Sequence, residues 1–242
     1  MNDDELAASL ATEAGRLLLA VRAELADAPA ALRKDEGDRR SHEFLMGELA
    51  RTRPEDAVLS EEGADDPVRL QSNRVWIVDP LDGTREFSEP GRQDWAVHVA
   101  LWSHGELVAG AVALPAQGVT LATPDVAAPP PAPVAPRILV SRTRPPAAAE
   151  QVRQHLGGTL VEMGSAGAKV AAVVQGFGEV YVHSGGQYEW DSAAPVAVAR
   201  AAGLHTSRID GSPLRYNQAD PLLPDLLVCR PQYADAVLET LR

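Results

Sequence analysis

A layered fold of α+β and α/β character is what this chain of 242 residues predicts, on three observations. Short apolar runs rich in β-branched residues read as buried strands. Between them lie stretches whose apolar positions recur at helical spacing, and beyond residue 136 the two alternate regularly. One-sided helices and apolar strands bury those faces only by stacking on one another. A hydrophobic content of 45% and a charged content of 23% are globular values and supply ample core for one large domain or two small ones.

In chain order, Leu6, Leu10, Leu17, Leu18, Val21 and Leu25 mark a long amphipathic helix over 4–26. Residues 28–40, with Lys34, Asp35, Glu36 and Asp38, read as a polar loop, and a second helix is expected from about Ser41 to Arg53, ended by Pro54. Ala57–Ser60 is a short strand leading into Glu61-Glu62-Gly63. Of the acidic residues around it, Glu55, Asp56, Asp65 and Asp66 read as a solvated loop. Glu61 and Glu62 differ, because a strand end fixes them in place.

Val75–Val78 is the next strand, expected to stop at Asp79-Pro80 because proline has no N–H to continue a ladder. Asp82-Gly83-Thr84 is a turn into a short helix. Two carboxylates thus sit at a strand's carboxyl end beside backbone N–H groups. Carboxylates there can hold hard divalent cations, and a glycine-flanked helix start can hold phosphate. Taken alone, Asp79 and Asp82 fit ordinary turn and cap positions equally well.

Trp95–Trp102 and Leu107–Leu114 form a hairpin, with Val119–Ala122 as a third strand. His98, inside the first of these, reads as a packed or hydrogen-bonded residue rather than a ligand. Six prolines between 123 and 136 make a stiff connection. The expected division is an α+β part over 1–125, the connection 126–136 and an α/β part over 137–242.

In the last part, strands are expected at Arg137–Ser141, Thr159–Met163, Glu179–His183, His205–Arg208 and Leu226–Arg230. Helices are expected at Pro145–Leu156, Ser165–Gln175, Asp191–Ala202 and Tyr233–Leu241. The glycine-flanked Gly164-Ser165-Ala166-Gly167-Ala168-Lys169 opens one of them and could meet a phosphate, sugar or base. Glu189-Trp190-Asp191 opens another, with Asp191 either an N-cap or a third carboxylate for the same metal cluster.

The formal net charge of −12 argues against a general nucleic-acid or anionic-membrane binder. It leaves room for a small anionic substrate, because bound metal ions invert the local field. The single cysteine, Cys229, excludes an internal disulfide and lies in an apolar run that suits a core residue. The acidic start is unlike a signal peptide, and no apolar run approaches the ~20 residues of a membrane span, so a cytoplasmic location is expected. There is no GxxxxGK[ST] loop and no GxSxG elbow.

Glu61-Glu62, Asp79-Pro80-Leu81-Asp82-Gly83-Thr84, Gly164-Ser165-Ala166 and Trp190-Asp191, in that order, resemble the signature of the inositol monophosphatase superfamily, across nearly the whole chain. Arg85-Glu86-Phe87 after the central motif, and Tyr188 to Asp191, look most like its CysQ branch, the 3'(2'),5'-bisphosphate nucleotidases. The resemblance implies the αβαβα sandwich of the inositol monophosphatase and fructose-1,6-bisphosphatase type. It implies a lithium-sensitive, Mg²⁺-dependent phosphoric monoester hydrolase that acts on a small phosphate ester and often pairs as a homodimer.

Carried over by residue, the resemblance gives two to three Mg²⁺ ions. Glu61, Asp79 and the Leu81 carbonyl hold one, and Asp79, Asp82 and Asp191 hold another. Thr84, bonded to Asp38, orients the attacking water, and the N–H groups of Gly83 and Thr84 hold phosphate oxygens. Ser165, Lys169, Glu189 and Arg85 contact the rest of the substrate. The implied reaction takes adenosine 3',5'-bisphosphate, a by-product of sulfate assimilation, to AMP and phosphate. The alternative is inositol 1-phosphate or fructose 1,6-bisphosphate by the same mechanism. A catalytically silent sensor is disfavoured, since Glu61, Asp79, Asp82, Thr84 and Asp191 are all retained. One departure stands out: Leu32 to Arg40 lacks the lysine-and-threonine pattern of the family's early loop.

Overall fold

The computed structural model describes all 242 residues. Ten strands form two five-stranded sheets. The first sheet holds β1 (Ala57–Ser60), β2 (Arg74–Asp82), β3 (Ala96–Ser103), β4 (Glu106–Leu114) and β5 (Val119–Ala122), adjacent in that order. Only β1 and β2 run parallel; the rest are antiparallel. The second sheet draws on β6 (Arg137–Ser141), β7 (Thr159–Met163), β8 (Val180–Tyr188), β9 (His205–Ser207) and β10 (Leu222–Cys229), in the order β7-β6-β8-β10-β9.

Helices fill three layers. On the outer face of the first sheet lie α1 (Asp3–Glu24) and α2 (Ala30–Thr52), with the short α3 (Thr84–Ser88) at the end of β2. The middle layer is α5 (Ala166–Val174) and α6 (Glu189–Ala201), which touch strands of both sheets. The far layer is α4 (Ala147–Leu156) and α7 (Pro231–Leu241). The expected αβαβα order is therefore present. A single core cluster takes in Val75 and Ile77 of β2, the apolar face of α5 and α6, and Leu226 and Val228 of β10. No regular element forms between β5 and β6. Cys229 lies in the core, and burial pushes its thiol up to about 12. No helix is long and apolar enough to cross a membrane.

Three local expectations are corrected. Residues 30–40 are not loop but the first turns of α2. The charges that suggest solvent pair along the helix instead: Glu36 with Arg39 and Arg40, at the i,i+3 and i,i+4 spacing. Buried Arg33 holds the α1–α2 turn by donating to the carbonyls of Leu25, Ala26, Ala28 and Ser88. The second strand does not stop at Asp79 but runs through Pro80 to Asp82. A bulge between Asp79 and Asp82 leaves the proline outside the ladder, and its carbonyl accepts from Ser41. Finally, Asp56 is not solvated: its carboxylate takes hydrogen bonds from Arg74 and from the Trp76 indole. Its neighbours Asp65 and Asp66 stay exposed, as expected of a solvated loop, with Asp65 paired to Arg69 and Asp66 capping the turn that follows.

Other elements are longer than the sequence pattern implies. β8 continues to Tyr188 and α6 begins at Glu189, so the strand passes straight into the helix that carries Asp191. β10 begins at Leu222, ahead of the expected Leu226.

Arg33→Met removes one guanidinium and strands four carbonyl groups at a buried turn. The expected cost is about 2–3 kcal/mol of unfolding free energy. Urea denaturation of the two proteins checks it.

Candidate metal and phosphate site

The site forms where the carboxyl end of β2 meets the amino ends of α5 and α6. β2 delivers Asp79 and Asp82, both buried. The bulge at Pro80 makes this possible, because it turns the chain so that the Leu81 N–H bonds Asp79 Oδ1 at 3.0 Å. Gly83 then takes a left-handed conformation with φ of +84°, and a Cβ there would lie 3.0 Å from that of Ser165. α3 follows.

Asp82 is docked on the start of α5. Its Oδ2 accepts from Ser165 Oγ at 2.5 Å and from the Gly167 N–H at 2.6 Å, and its Oδ1 accepts from the Ala166 N–H at 3.2 Å. Ser165 Oγ in turn accepts from the Ala168 N–H. Burial opposes ionisation of Asp82, yet His98 and these donors hold its pKa down to about 2. The glycine-flanked helix start that the sequence offers to a phosphate, sugar or base therefore takes the protein's own carboxylate.

Asp79, Glu61 and Asp191 have the opposite problem. Burial raises Asp79 well above the ordinary carboxylate range, and Glu61, Asp82 and Asp191 reinforce it. Glu61, at the solvent-facing rim after β1, shares a hydrogen bond with Asp79. Burial and then Asp191 raise it to about 7. Asp191, in the first turn of α6, reaches back to the Tyr188 N–H at 2.6 Å; burial and Asp82 raise it to about 6. Four carboxylates crowd one place, and three of them bind protons where a cation of higher charge would serve better. The carboxylate set is oxygen-rich and suits a hard divalent cation, and the Leu81 carbonyl accepts from Thr84 Oγ1.

Asp38 arrives from α2. The helix can approach because residue 37 is glycine: a Cβ there would lie 2.7 Å from the Phe87 ring and 3.0 Å from Leu81. Asp38 Oδ1 then sits 3.4 Å from Thr84 Oγ1, which also lies 3.1 Å from the Leu81 carbonyl oxygen. The hydroxyl has one proton and the shorter contact is to Leu81. Burial, then the charges of Glu62 and Glu61, raise Asp38 to about 7. Glu62 itself is exposed.

Beside Asp82 and Asp191 opens a cavity of about 490 Å³, lined also by Ser165, Lys169, Arg144 and Tyr188. Lys169 is buried, with Nζ bonded to the carbonyls of Gly164 and Ser165 and 5.2 Å from the Tyr181 ring centroid. Burial lowers its pKa to about 8. Arg85 is exposed, paired with Glu89, and lines a neighbouring cavity with Arg142 and Arg144.

Glu189 is corrected. It is fully buried and its carboxylate accepts from the N–H groups of Asn217 and Gln218, so it fastens that loop and lines neither cavity. Among the cavity residues that the sequence expectation omits are Arg144 and Tyr188. Arg144 offers no motif. Tyr188 lies within the quoted Tyr-Glu-Trp-Asp spelling, and its ring stacks on Trp190 at 4.6 Å. His98 is packed and hydrogen-bonded, as its place in the strand predicts, with Nδ1 on the Trp190 carbonyl. It is fully buried, with Nε2 3.2 Å from Asp82 Oδ2, and its ligand atoms and those of Asp79 and Asp82 form a compact group able to hold a metal.

The chain matches the model of the inositol monophosphatase family over residues 4–126 and 134–242. A 3'-phosphoadenosine 5'-phosphate phosphatase of Mycobacterium bovis is 56% identical over 236 residues, covering 93% of this chain and 88% of that protein. The 3'(2'),5'-bisphosphate nucleotidase CysQ of Escherichia coli K12 is 33% identical, covering 76% of this chain and 79% of its own length. Among solved structures, CysQ from Bacteroides thetaiotaomicron superposes with a TM-score of 0.75 at 28% identity, covering 93% of this chain and 96% of that one.

Glu61, Asp38 and Asp191 bind protons more tightly in the folded chain than their ordinary values of 4.5 and 3.8 allow. Their contribution to stability is present below those ordinary values and is lost as pH rises through about 6 to 7. A bound divalent cation removes that loss. The melting-temperature gain on adding Mg²⁺ to EDTA-treated protein should therefore grow across this range, and scanning calorimetry at several pH values measures it. A gain independent of pH would contradict the assignment.

Proposed function

The chain belongs to the inositol monophosphatase family, and from that premise we propose that it hydrolyses the 3'-phosphate of adenosine 3',5'-bisphosphate, giving AMP and phosphate. The observation that carries the chemistry is the crowd of carboxylates at the end of β2, with Asp79 and Asp82 buried and Asp191 and Glu61 toward the rim, mutually repelling and oxygen-rich. The substrate follows from the 56%-identical mycobacterial relative, whose name specifies that compound.

In this reading Glu61, Asp79, Asp82, Asp191 and the Leu81 carbonyl would hold two to three Mg²⁺ ions. When bound, these supply an acidified water and offset the charge of the phosphoryl group. The chain's own residues do the rest. Thr84, by turning its proton from the Leu81 carbonyl to Asp38, frees its oxygen to accept a hydrogen bond from the attacking water, and Asp38 is the proton's destination. The N–H groups of Gly83 and Thr84 hold phosphoryl oxygens. Lys169 and Ser165 border the cavity where the nucleoside would lie, with Arg85 further out. Little covalent chemistry is asked of the protein, because positioning and charge balance suffice for phosphoryl transfer. On the same reading it acts in the cytoplasm on a by-product of sulfate assimilation; pairing as a homodimer and inhibition by lithium are what the family resemblance implies.

Phosphate release from adenosine 3',5'-bisphosphate, inositol 1-phosphate and fructose 1,6-bisphosphate, each with Mg²⁺ and with EDTA, tests the proposal. A strong Mg²⁺-dependent preference for the nucleotide is expected. Equal or faster release from the sugar phosphates would overturn the substrate and keep the metal chemistry. Asp82→Asn should abolish turnover with an unchanged circular dichroism spectrum; near-wild-type turnover would remove Asp82 from the metal site.

A further inference from the structure

A histidine in the middle of β3 is out of place by packing alone. Its strand neighbours Val97 and Val99 are apolar and buried, and His98 itself has no exposed surface. A buried imidazole is retained at a cost unless its nitrogens find partners. One does: Nδ1 lies 3.0 Å from the carbonyl oxygen of Trp190. A carbonyl only accepts, so Nδ1 carries the proton. That carbonyl belongs to the first turn of α6, one residue before Asp191.

The other nitrogen turns to the opposite group of ligands. Nε2 lies 3.2 Å from Asp82 Oδ2 without a hydrogen bond of ordinary geometry, and Asp79 Oδ2 is 3.9 Å from Nδ1. The third wall is α5. A Cβ on Gly167 would fall 1.9 Å from Nε2, so only glycine lets α5 close over the ring. One side chain thus touches β2, α5 and α6, the three elements that bring Asp79, Asp82 and Asp191 together.

We propose that His98 is a positioning residue for the divalent-cation site, fixing Asp82 relative to Asp191 with one ring that donates from Nδ1 to the Trp190 carbonyl and lies with Nε2 against Asp82 Oδ2. It makes no contact with substrate. It acts as the partners behind metal ligands do: by holding the ligands in one arrangement before the cation arrives. The inference rests on the metal site proposed above, and deepens it.

The experiment is calorimetric titration of Mn²⁺ into metal-stripped wild type, His98→Ala and His98→Asn, with melting temperatures in EDTA as the control for folding. Asparagine keeps a donor for Trp190 but withdraws from Asp82. The expected order of affinity is wild type, then Asn, then Ala, with His98→Ala weakened about 10-fold or more. At saturating Mn²⁺ and substrate, kcat of His98→Ala should return toward wild type, because no reacting atom is touched. Unchanged affinity in His98→Ala overturns the proposal. So does an Asn variant that binds no better than Ala, which would make the ring a direct ligand, and so does a kcat deficit that excess Mn²⁺ fails to repair. If His98→Ala does not fold, His98→Asn alone decides: weaker binding supports the proposal and equal binding overturns it. Absence of Mn²⁺ binding in the wild type would instead overturn the metal site, and this inference with it.

Discussion

Four carboxylates gathered in one place, three of them raised in pKa by burial and by one another, form the constraint around which this molecule is arranged. Each is stabilised differently. Asp82 takes the N–H groups of α5 and a serine hydroxyl, the Leu81 N–H caps Asp79, and Asp191 turns back on the Tyr188 N–H. The arrangement needs both sheets, since β2 belongs to the first and β8 of the second feeds α6. The site therefore forms only when the middle helical layer is seated, and the large shared core that seats it is also what gives the cluster its geometry.

Much of this was legible in the sequence because the decisive residues are local. Asp79 to Thr84 lie within one bulge and one turn, so their spacing is visible in the order of residues. The strands of the second half are apolar runs with clear ends. What escaped depends on distant partners. Residues 30–40 look like loop because their charges suggest solvent; nothing local shows that Arg33 reaches the carbonyls of Leu25, Ala26, Ala28 and Ser88. Pro80 looks like a strand end because the bulge that excuses its missing N–H is a property of the pair β2–β3. Asp56 looks solvated until Trp76 and Arg74 fold over it.

Glu189 misleads and His98 tells less than it does, for the same reason: what each side chain meets is set by distant elements. Glu189 stands beside Asp191 in sequence and was expected to share its surroundings, yet successive residues of a helix face different ways, and it meets the 217–218 loop. His98 stands alone among apolar residues and gives no local sign that two acids and a helix carbonyl wait across the sheet. Burial and cross-strand company are tertiary facts, and one chain read by itself carries only their averages.

The helical form of residues 30–40 bears on timing. Asp38 is carried on a rod of 23 residues, tied down by Arg33 on one side and packed through Gly37 onto Phe87 on the other. Such a rod does not swing out and back with each turnover; withdrawing Asp38 means unravelling hydrogen bonds along several turns. The Asp38 carboxylate is thus held in place before any ligand enters, and the entropy of ordering it is spent during folding. The adjoining cavity is bordered by the exposed side chains of Tyr188 and Arg144, which are of the kind that reorient in picoseconds to nanoseconds.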